Sequence, residues 1–278
     1  MTVSEALRLG ERQLADAGVD TPRVDAELLL AHVLGTSRSG VYARAEREVP
    51  GTYQVLLGRR CRREPLAYVL GEWGFRRLVL KTDARTLVPR PETEIVVERC
   101  LELLGGADEP RVLDVGTGTG AIALAIADEH RGARVTAVDA SADAVELARE
   151  NAERLRLDVE IREGDFDVAA EGWDLVVSNP PYVTPEEWDT LQPEITEWEP
   201  RAALVGVGLH AQLARMANTR LLVLEIGEGQ ADDVAEMLPG LGYEDVVVTP
   251  DLAGKPRVVE GRRRQSQGSV RPQPFEGT

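Results

Sequence analysis

The 278-residue chain predicts an α/β fold with a small helical domain in front of it. Three observations carry that expectation. From about residue 111, short apolar runs alternate with segments of helical spacing, the pattern of parallel strands joined by crossover helices. A glycine-rich run, Gly116-Thr117-Gly118-Thr119-Gly120, separates the first such strand from the first such helix. The opening 70 residues, by contrast, carry helical spacing alone.

That opening region predicts a bundle over residues 1–70. Val3, Leu7, Leu14 and Ala17 share a helical stripe. Thr21-Pro22 supplies an N-cap and a proline at the first helical position, and Gly35 ends the segment carrying Ala26, Leu29, Leu30 and Val33. Thr52 is placed to cap a further helix bearing Tyr53, Leu56 and Leu57. Residues 71–90 change texture: Gly71, Trp73, Gly74 and Phe75, followed by Leu78-Val79-Leu80, predict a β-hairpin or extended connector. Pro89 and Pro91 then fix the path into a helix whose first turn is acidic and whose stripe is Val96, Cys100 and Leu103.

The main domain is expected over residues 91–261. Its strands are Arg111–Val115, Arg134–Asp139, Val159–Ile161, a stretch beginning at Asp174 and Leu221–Ile226, with a final pair near Tyr243–Val248 and Arg257–Glu260. Ser141 caps the helix after the second strand. Residues 262–278, with three arginines and then Gln, Ser, Gly and Pro, predict a disordered tail.

Composition narrows the function classes. Hydrophobic residues make up 43%, which fits a soluble globular protein, and no run approaches the roughly 20 apolar residues of a membrane helix. No basic stretch followed by an apolar one opens the chain, so no secretory signal is expected. Cys61 and Cys100 lack metal-site spacing, and His32, His130 and His210 are scattered, so no metal is expected. Two isolated cysteines suit a reducing cytoplasm. The formal charge of −16 opposes direct binding of nucleic acid and allows a small ligand or a basic protein partner.

Glycines in the 116–120 loop allow a sharp turn, let the backbone approach a ligand and bring a helix N-terminus towards it. Asp139 closes the next strand about 20 residues on, where a carboxylate can accept both ribose hydroxyls. The combination predicts a nucleoside-containing ligand. The run is G-x-G-x-G rather than G-x-G-x-x-G, with no basic residue for a pyrophosphate. Asp114 and Asp165 make the surroundings acidic, which suits a cationic ligand such as S-adenosylmethionine.

The other distinctive stretch is Asp174-Leu175-Val176-Val177-Ser178-Asn179-Pro180-Pro181-Tyr182. Prolines stop the strand and hold the chain on a fixed path. Asn179 and the carbonyl of Pro180 then offer two rigid oxygen acceptors beside the Tyr182 ring, an arrangement suited to holding a planar amino group. On its own the stretch fits a proline-stopped strand equally well.

Together, Asp114-x-Gly116-x-Gly118-x-Gly120, the acid ending the second strand, and Asn179-Pro180-Pro181-Tyr182 resemble the class I S-adenosylmethionine-dependent methyltransferases, in the branch that methylates planar nitrogens. Three further stretches resemble the peptide chain release factor glutamine N5-methyltransferases. They are Glu64-Pro65-Leu66-Ala67-Tyr68-Val69-Leu70-Gly71 with Trp73, Pro89-Arg90-Pro91-Glu92-Thr93-Glu94, and Glu199-Pro200-Arg201-Ala202-Ala203-Leu204. The resemblance runs from the helical domain to about residue 261. It implies a Rossmann-like seven-stranded methyltransferase sheet and transfer of a methyl group to the glutamine of the release-factor Gly-Gly-Gln motif. It implies that Gly116, Thr117, Gly118, Thr119, Gly120, Asp139, Phe166 and Asn179 bind S-adenosyl-L-methionine, with Asp165 beside Phe166 at the adenine. Asn179, Pro180, Pro181 and Tyr182 would bind the glutamine, and Asn179, Pro180 and Tyr182 would carry the catalysis. The expected partner is a release factor, with no nucleic acid, membrane or metal, and the enzyme is expected to be a cytoplasmic monomer. Ribosomal-protein glutamine methylation, base methylation of nucleic acid and a non-enzymatic nucleoside-binding module are the alternatives.

One departure from that family stands out. Its Gly-Gly-x-x-Gly-Leu, long helix and Pro-Gly-Gly turn before strand five are replaced here by a short segment, 205–220, whose missing part is expected at the surface away from the glycine loop.

Overall fold

In the computed structural model, which describes residues 1–263, the helical spacing of the first seventy residues becomes five helices. They run over Val3–Asp16, Pro22–Leu34, Arg38–Tyr42, Thr52–Cys61 and Leu66–Leu70. Leu14, Leu29, Leu30, Tyr53 and Leu57 form the centre of their own hydrophobic core. The first helix opens on a capping box between Thr2 and Glu5. Two expected caps differ in detail. The Thr21 hydroxyl donates to the Asp25 side chain (2.7 Å) rather than capping backbone, and Thr52 is the first helical residue, with Gly51 in the cap position.

The connector is a two-stranded antiparallel hairpin, β1 (Glu72–Phe75) and β2 (Leu78–Lys81). A buried amide ties it to the main domain. Asn151 accepts from the Lys81 backbone N–H at 2.7 Å and donates to the carbonyls of Lys81 (3.1 Å) and Thr119 (3.0 Å). With both N–H groups and its carbonyl oxygen engaged, Asn151 fixes where the chain after the hairpin sets out.

The second sheet contains β3 (Arg111–Val115), β4 (Arg134–Asp139), β5 (Glu160–Glu163), β6 (Trp173–Ser178), β7 (Thr219–Glu225), β8 (Tyr243–Pro250) and β9 (Pro256–Arg263). The spatial order is β5-β4-β3-β6-β7-β9-β8. The first five of these are parallel, and β9 enters antiparallel between β7 and β8. Both faces are buried, as the near-continuous apolar runs predict. Val112, Leu175, Val177, Leu221 and Val223 point into one core with the helices Thr93–Leu104 and Ala121–Glu129. Leu113, Val115, Val176, Leu222 and Leu224 point into the other, with the helices Leu209–Met216 and Ala231–Gly240.

Strand order reverses between β3 and β6, so a crevice opens at their carboxyl ends, where open α/β sheets bind ligands. The helical unit is braced against that region. Arg60 (2.8 Å) and Arg63 (2.5 Å) both pair with Glu194, which sits in the short helix Pro193–Thr196. β9 reaches Arg263, whose guanidinium lies over the Tyr243 ring and donates to the Ala217 carbonyl at 2.8 Å. The remainder of the expected tail, residues 264–278, lies outside the described residues. Among the described residues no helix is long and apolar enough to cross a membrane.

Candidate active site

The loop between β3 and its helix folds as its glycines require. Gly116, Gly118 and Gly120 have φ of 74°, 55° and 84°, a region that L side chains rarely adopt. The backbone N–H groups of Gly116 and Thr117 donate to the Val138 carbonyl, at 2.9 and 3.0 Å, which joins the loop to the end of β4. Asp139 sits at that end. Its two oxygens accept from Gly118 N–H and Ser141 N–H, each at 2.9 Å. Burial raises its pKa above the usual carboxylate value, and the two backbone N–H groups pull it back.

Below the loop lies Asp114, fully buried. Its Oδ2 accepts from the Thr117 hydroxyl at 2.6 Å and from Ala123 N–H at 3.2 Å, linking the loop to the first turn of the helix. Its Oδ1 is buried without a hydrogen-bond partner, and burial pushes its carboxyl up to about 7.

The loop lines a cavity of about 520 Å3, a size suited to a nucleoside-bearing molecule with room to spare. Val115–Thr119, Asp139–Ser141 and Gly164–Phe166 share its wall with Arg85–Arg90 from the connector, where Thr86 lies against Gly118. Pro200, Ala202 and Ala203 form a further rim. These two rims are joined. Arg90 pairs with the buried Glu199 at 2.6 Å, and Val88 packs with Ala67 and Tyr68 against Trp73 and Trp198. The Tyr68 hydroxyl donates to the Thr86 carbonyl. Burial raises the Glu199 carboxyl above its ordinary range, while the Arg90 charge opposes that rise.

Asn179 and Pro181 lie in the same wall. Asn179 follows directly on β6, and its side chain is half-buried, with Nδ2 3.4 Å from the Thr93 hydroxyl. Eight expected site residues thus line one cavity: Gly116, Thr117, Gly118, Thr119, Asp139, Phe166, Asn179 and Pro181. Three do not. Gly120 is the cap of the helix Ala121–Glu129, where a Cβ would come within 2.9 Å of Leu124. Pro180 is buried. Tyr182 sits behind the wall, its hydroxyl 3.3 Å from Glu225 Oε1 and its ring roughly parallel to that of His210, with centroids 6.5 Å apart.

The segment 205–220 lies closer to the site than its sequence suggests. Val183 and Val205 form a bridge, and Gly206 passes so near the tetrad that a Cβ there would lie 2.7 Å from the Pro181 carbonyl oxygen. That packing brings Leu209 and Gln212, from the helix Leu209–Met216, into the cavity wall. Sequence reasoning also missed Thr93 and Glu225, which meet behind Asn179 (2.7 Å). For Thr93 the signal was its place in the Pro89–Glu94 stretch that carries the resemblance, and for Glu225 it was an acid ending an apolar strand.

Comparison with known proteins agrees with this geometry. Residues 5–71 match the PrmC N-terminal domain and residues 93–197 the methyltransferase small domain. The chain is 40% identical over 279 residues to the release factor glutamine methyltransferase of Deinococcus radiodurans, covering 95% of this chain and 99% of that one. It is 39% identical over 275 residues to the enzyme of the same name from Chlorobaculum tepidum, covering 90% and 93%. Among solved structures, a human methyltransferase 10 domain containing protein superposes with a TM-score of 0.50 at 15% identity, over 67% of this chain and 88% of that one, which is a likeness of fold. With that similarity extending over nearly the whole length of both chains, the chain belongs to the release factor glutamine methyltransferase family.

Proposed function

We propose that this enzyme methylates the side-chain nitrogen, N5, of the glutamine in the Gly-Gly-Gln motif of peptide chain release factors, with S-adenosylmethionine as the donor. The observation that carries this reading is that Asn179 lines one cavity together with the glycine cradle and the connector residues Arg85–Arg90. The bound donor supplies an electrophilic methyl group on a sulfonium. Gly116–Thr119 and Asp139 hold its methionine and ribose portions, and Phe166 with Asp165 flanks the adenine. Asp139 and Asp165 in the wall favour its positive charge.

A carboxamide nitrogen is a poor nucleophile because its lone pair is delocalised into the carbonyl. Asn179 Oδ1 and the Pro180 carbonyl accept its two N–H bonds, which aims the nitrogen along the line of methyl transfer. Positioning of this kind is worth about 7–11 kcal/mol of barrier in favourable cases. The same two acceptors stabilise the positive charge that grows on nitrogen, the inverse of an oxyanion hole. Its proton leaves after the new bond forms, so these residues need no histidine base. Tyr182, which like Pro180 is outside the cavity lining, holds Glu225 through its hydroxyl and flanks the tetrad. The rims formed by Arg85–Arg90 and Pro200–Ala203 enclose the incoming loop.

The test is mass spectrometry of a release factor's Gly-Gly-Gln peptide after incubation with enzyme and donor, with ribosomal protein and DNA as parallel substrates. One added methyl on the glutamine of the release factor alone is expected, and modification of DNA or ribosomal protein instead would overturn the reading. Asn179→Ala should lower single-turnover methylation by about 100-fold with donor binding intact.

A further inference from the structure

Behind Asn179 lies a buried acid to which the chemistry above gives no part. Glu225, the last residue of β7, is 1% exposed. Its Oε2 accepts from the Thr93 hydroxyl at 2.7 Å, and its Oε1 accepts from the Tyr182 hydroxyl at 3.3 Å. Thr93 is the first residue of the helix Thr93–Leu104 and lies in the cavity wall beside Asn179.

The senses of these bonds follow from simple counting. A threonine hydroxyl has one proton and two lone pairs. Given to an ionised carboxylate, which only accepts, that proton leaves Thr93 with lone pairs alone for its other neighbour. Asn179 must then turn its NH2 towards Thr93, and its Oδ1 is left facing the other way. At 3.4 Å the contact is long, so it selects the sense of the amide more than it adds strength.

We propose that Thr93 and Glu225 are positioning residues for methyl transfer: the Glu225 carboxylate holds the Thr93 hydroxyl as an acceptor for Asn179 Nδ2, and thereby presents Asn179 Oδ1 to the substrate nitrogen. This rests on the function proposed above and assigns the residues that give Asn179 its polarity.

The arrangement depends on Glu225 being ionised. Burial pushes its carboxyl up to about 7; the Thr93 hydrogen bond, the Arg257 charge and the Tyr182 hydrogen bond oppose that rise, and Glu92 adds to it. His210, from the helix Leu209–Met216, places Nε2 2.8 Å from the Glu225 backbone carbonyl, and burial holds its pKa below the ordinary histidine range. Once protonated, Glu225 becomes a donor, Thr93 is free to donate to Asn179, and the amide sense is no longer set. Activity is therefore lost as pH falls through about 7.

The experiment is single-turnover methylation of a release factor at saturating donor, with donor affinity measured separately. Thr93→Val keeps the shape and removes the hydroxyl, and should lower the rate by about 10–100-fold with donor affinity kept within about threefold. Thr93→Ser, which restores the hydroxyl, should recover to within about fivefold of wild type. Glu225→Gln cannot ionise and, like the protonated acid, can donate as well as accept, so the acid limb of the pH–rate profile should flatten at the lowered rate of the protonated enzyme. A Thr93→Val rate within about threefold of wild type, or an unchanged acid limb in Glu225→Gln, overturns the proposal. If wild-type enzyme leaves the release factor unmodified, it is the function proposed above that fails. The positioning role is then read from the Asn179 side-chain NH2 resonances of the free protein: a shift in Thr93→Val supports it, and unchanged resonances overturn it.

Discussion

The Ser178 hydroxyl donates to the Val115 carbonyl at 2.7 Å, so the last residues of β6 and β3 are bonded side chain to backbone. The residue after Val115 opens the glycine loop, and the residue after Ser178 is Asn179. This buried bond, between register partners of adjacent strands, adds to the ladder that sets the spacing between the glycine loop and Asn179, the residue proposed to receive the substrate amide. Ser178→Ala should cost about 1 kcal/mol of stability. It should also lower kcat more than it weakens donor binding, as single-turnover rates and calorimetric titration will show.

Asp139 is the second point of control. Its carboxylate already carries two backbone N–H groups and has lone pairs left for ribose hydroxyls. Asp139→Asn removes the charge and replaces one acceptor with a donor. Hydrogen bonds to a charged group are worth about 1.5–3 kcal/mol, so donor affinity should fall about 10–100-fold by calorimetry. The rate at saturating donor should change much less.

Removing Arg90 should affect stability as well as activity. Its partner Glu199 is buried, and Arg90 itself is about one-third exposed. Breaking a fully buried pair costs about 3–5 kcal/mol, and partial solvation of the arginine reduces that, so Arg90→Ala should cost about 2–3 kcal/mol by denaturant unfolding. The rims joined by this pair should also loosen, raising KM for the release factor.

Stability and activity should move in opposite directions with pH. Asp114 and Glu225 are each raised by burial to about 7, above the ordinary carboxyl range. Between their unfolded and folded values the folded state holds protons that the unfolded chain has lost. Their contribution is fully present below the unfolded pKa values and is lost as pH rises through about 7. His210, whose pKa is lowered by burial, acts in the opposite sense as its unfolded form titrates. The comparison is therefore made with variants. The difference in melting temperature between wild type and Glu225→Gln should change by a few degrees between about pH 6 and about pH 8, wild type losing more as pH rises. Equal slopes would show that Glu225 does not titrate in this range.

The legible parts of the site are those with local causes. Gly116, Gly118 and Asp139 announce themselves because a strand-to-helix turn needs left-handed backbone and the next parallel strand ends alongside it. Asn179 is legible for a similar reason, since prolines stop β6 where the sheet's carboxyl edge lies. Tyr182 shows the limit of such reasoning. Nothing in its spacing reveals that its hydroxyl turns back to Glu225, 43 residues later. The same holds for Thr93, which meets Glu225 across 132 residues (2.7 Å), and for Leu209, brought into the wall by the passage of Gly206 under Pro181. These positions come from packing between distant segments, which a pattern of nearby residues does not encode.

Arg60 and Arg63 both hold Glu194, a few residues before the Glu199 that anchors one rim of the cavity. Glu194 is therefore shared property: the five-helix unit holds it, and the same stretch of backbone goes on to Glu199 and Pro200–Ala203, so one lip of the entrance hangs from the helical unit as well as from the sheet.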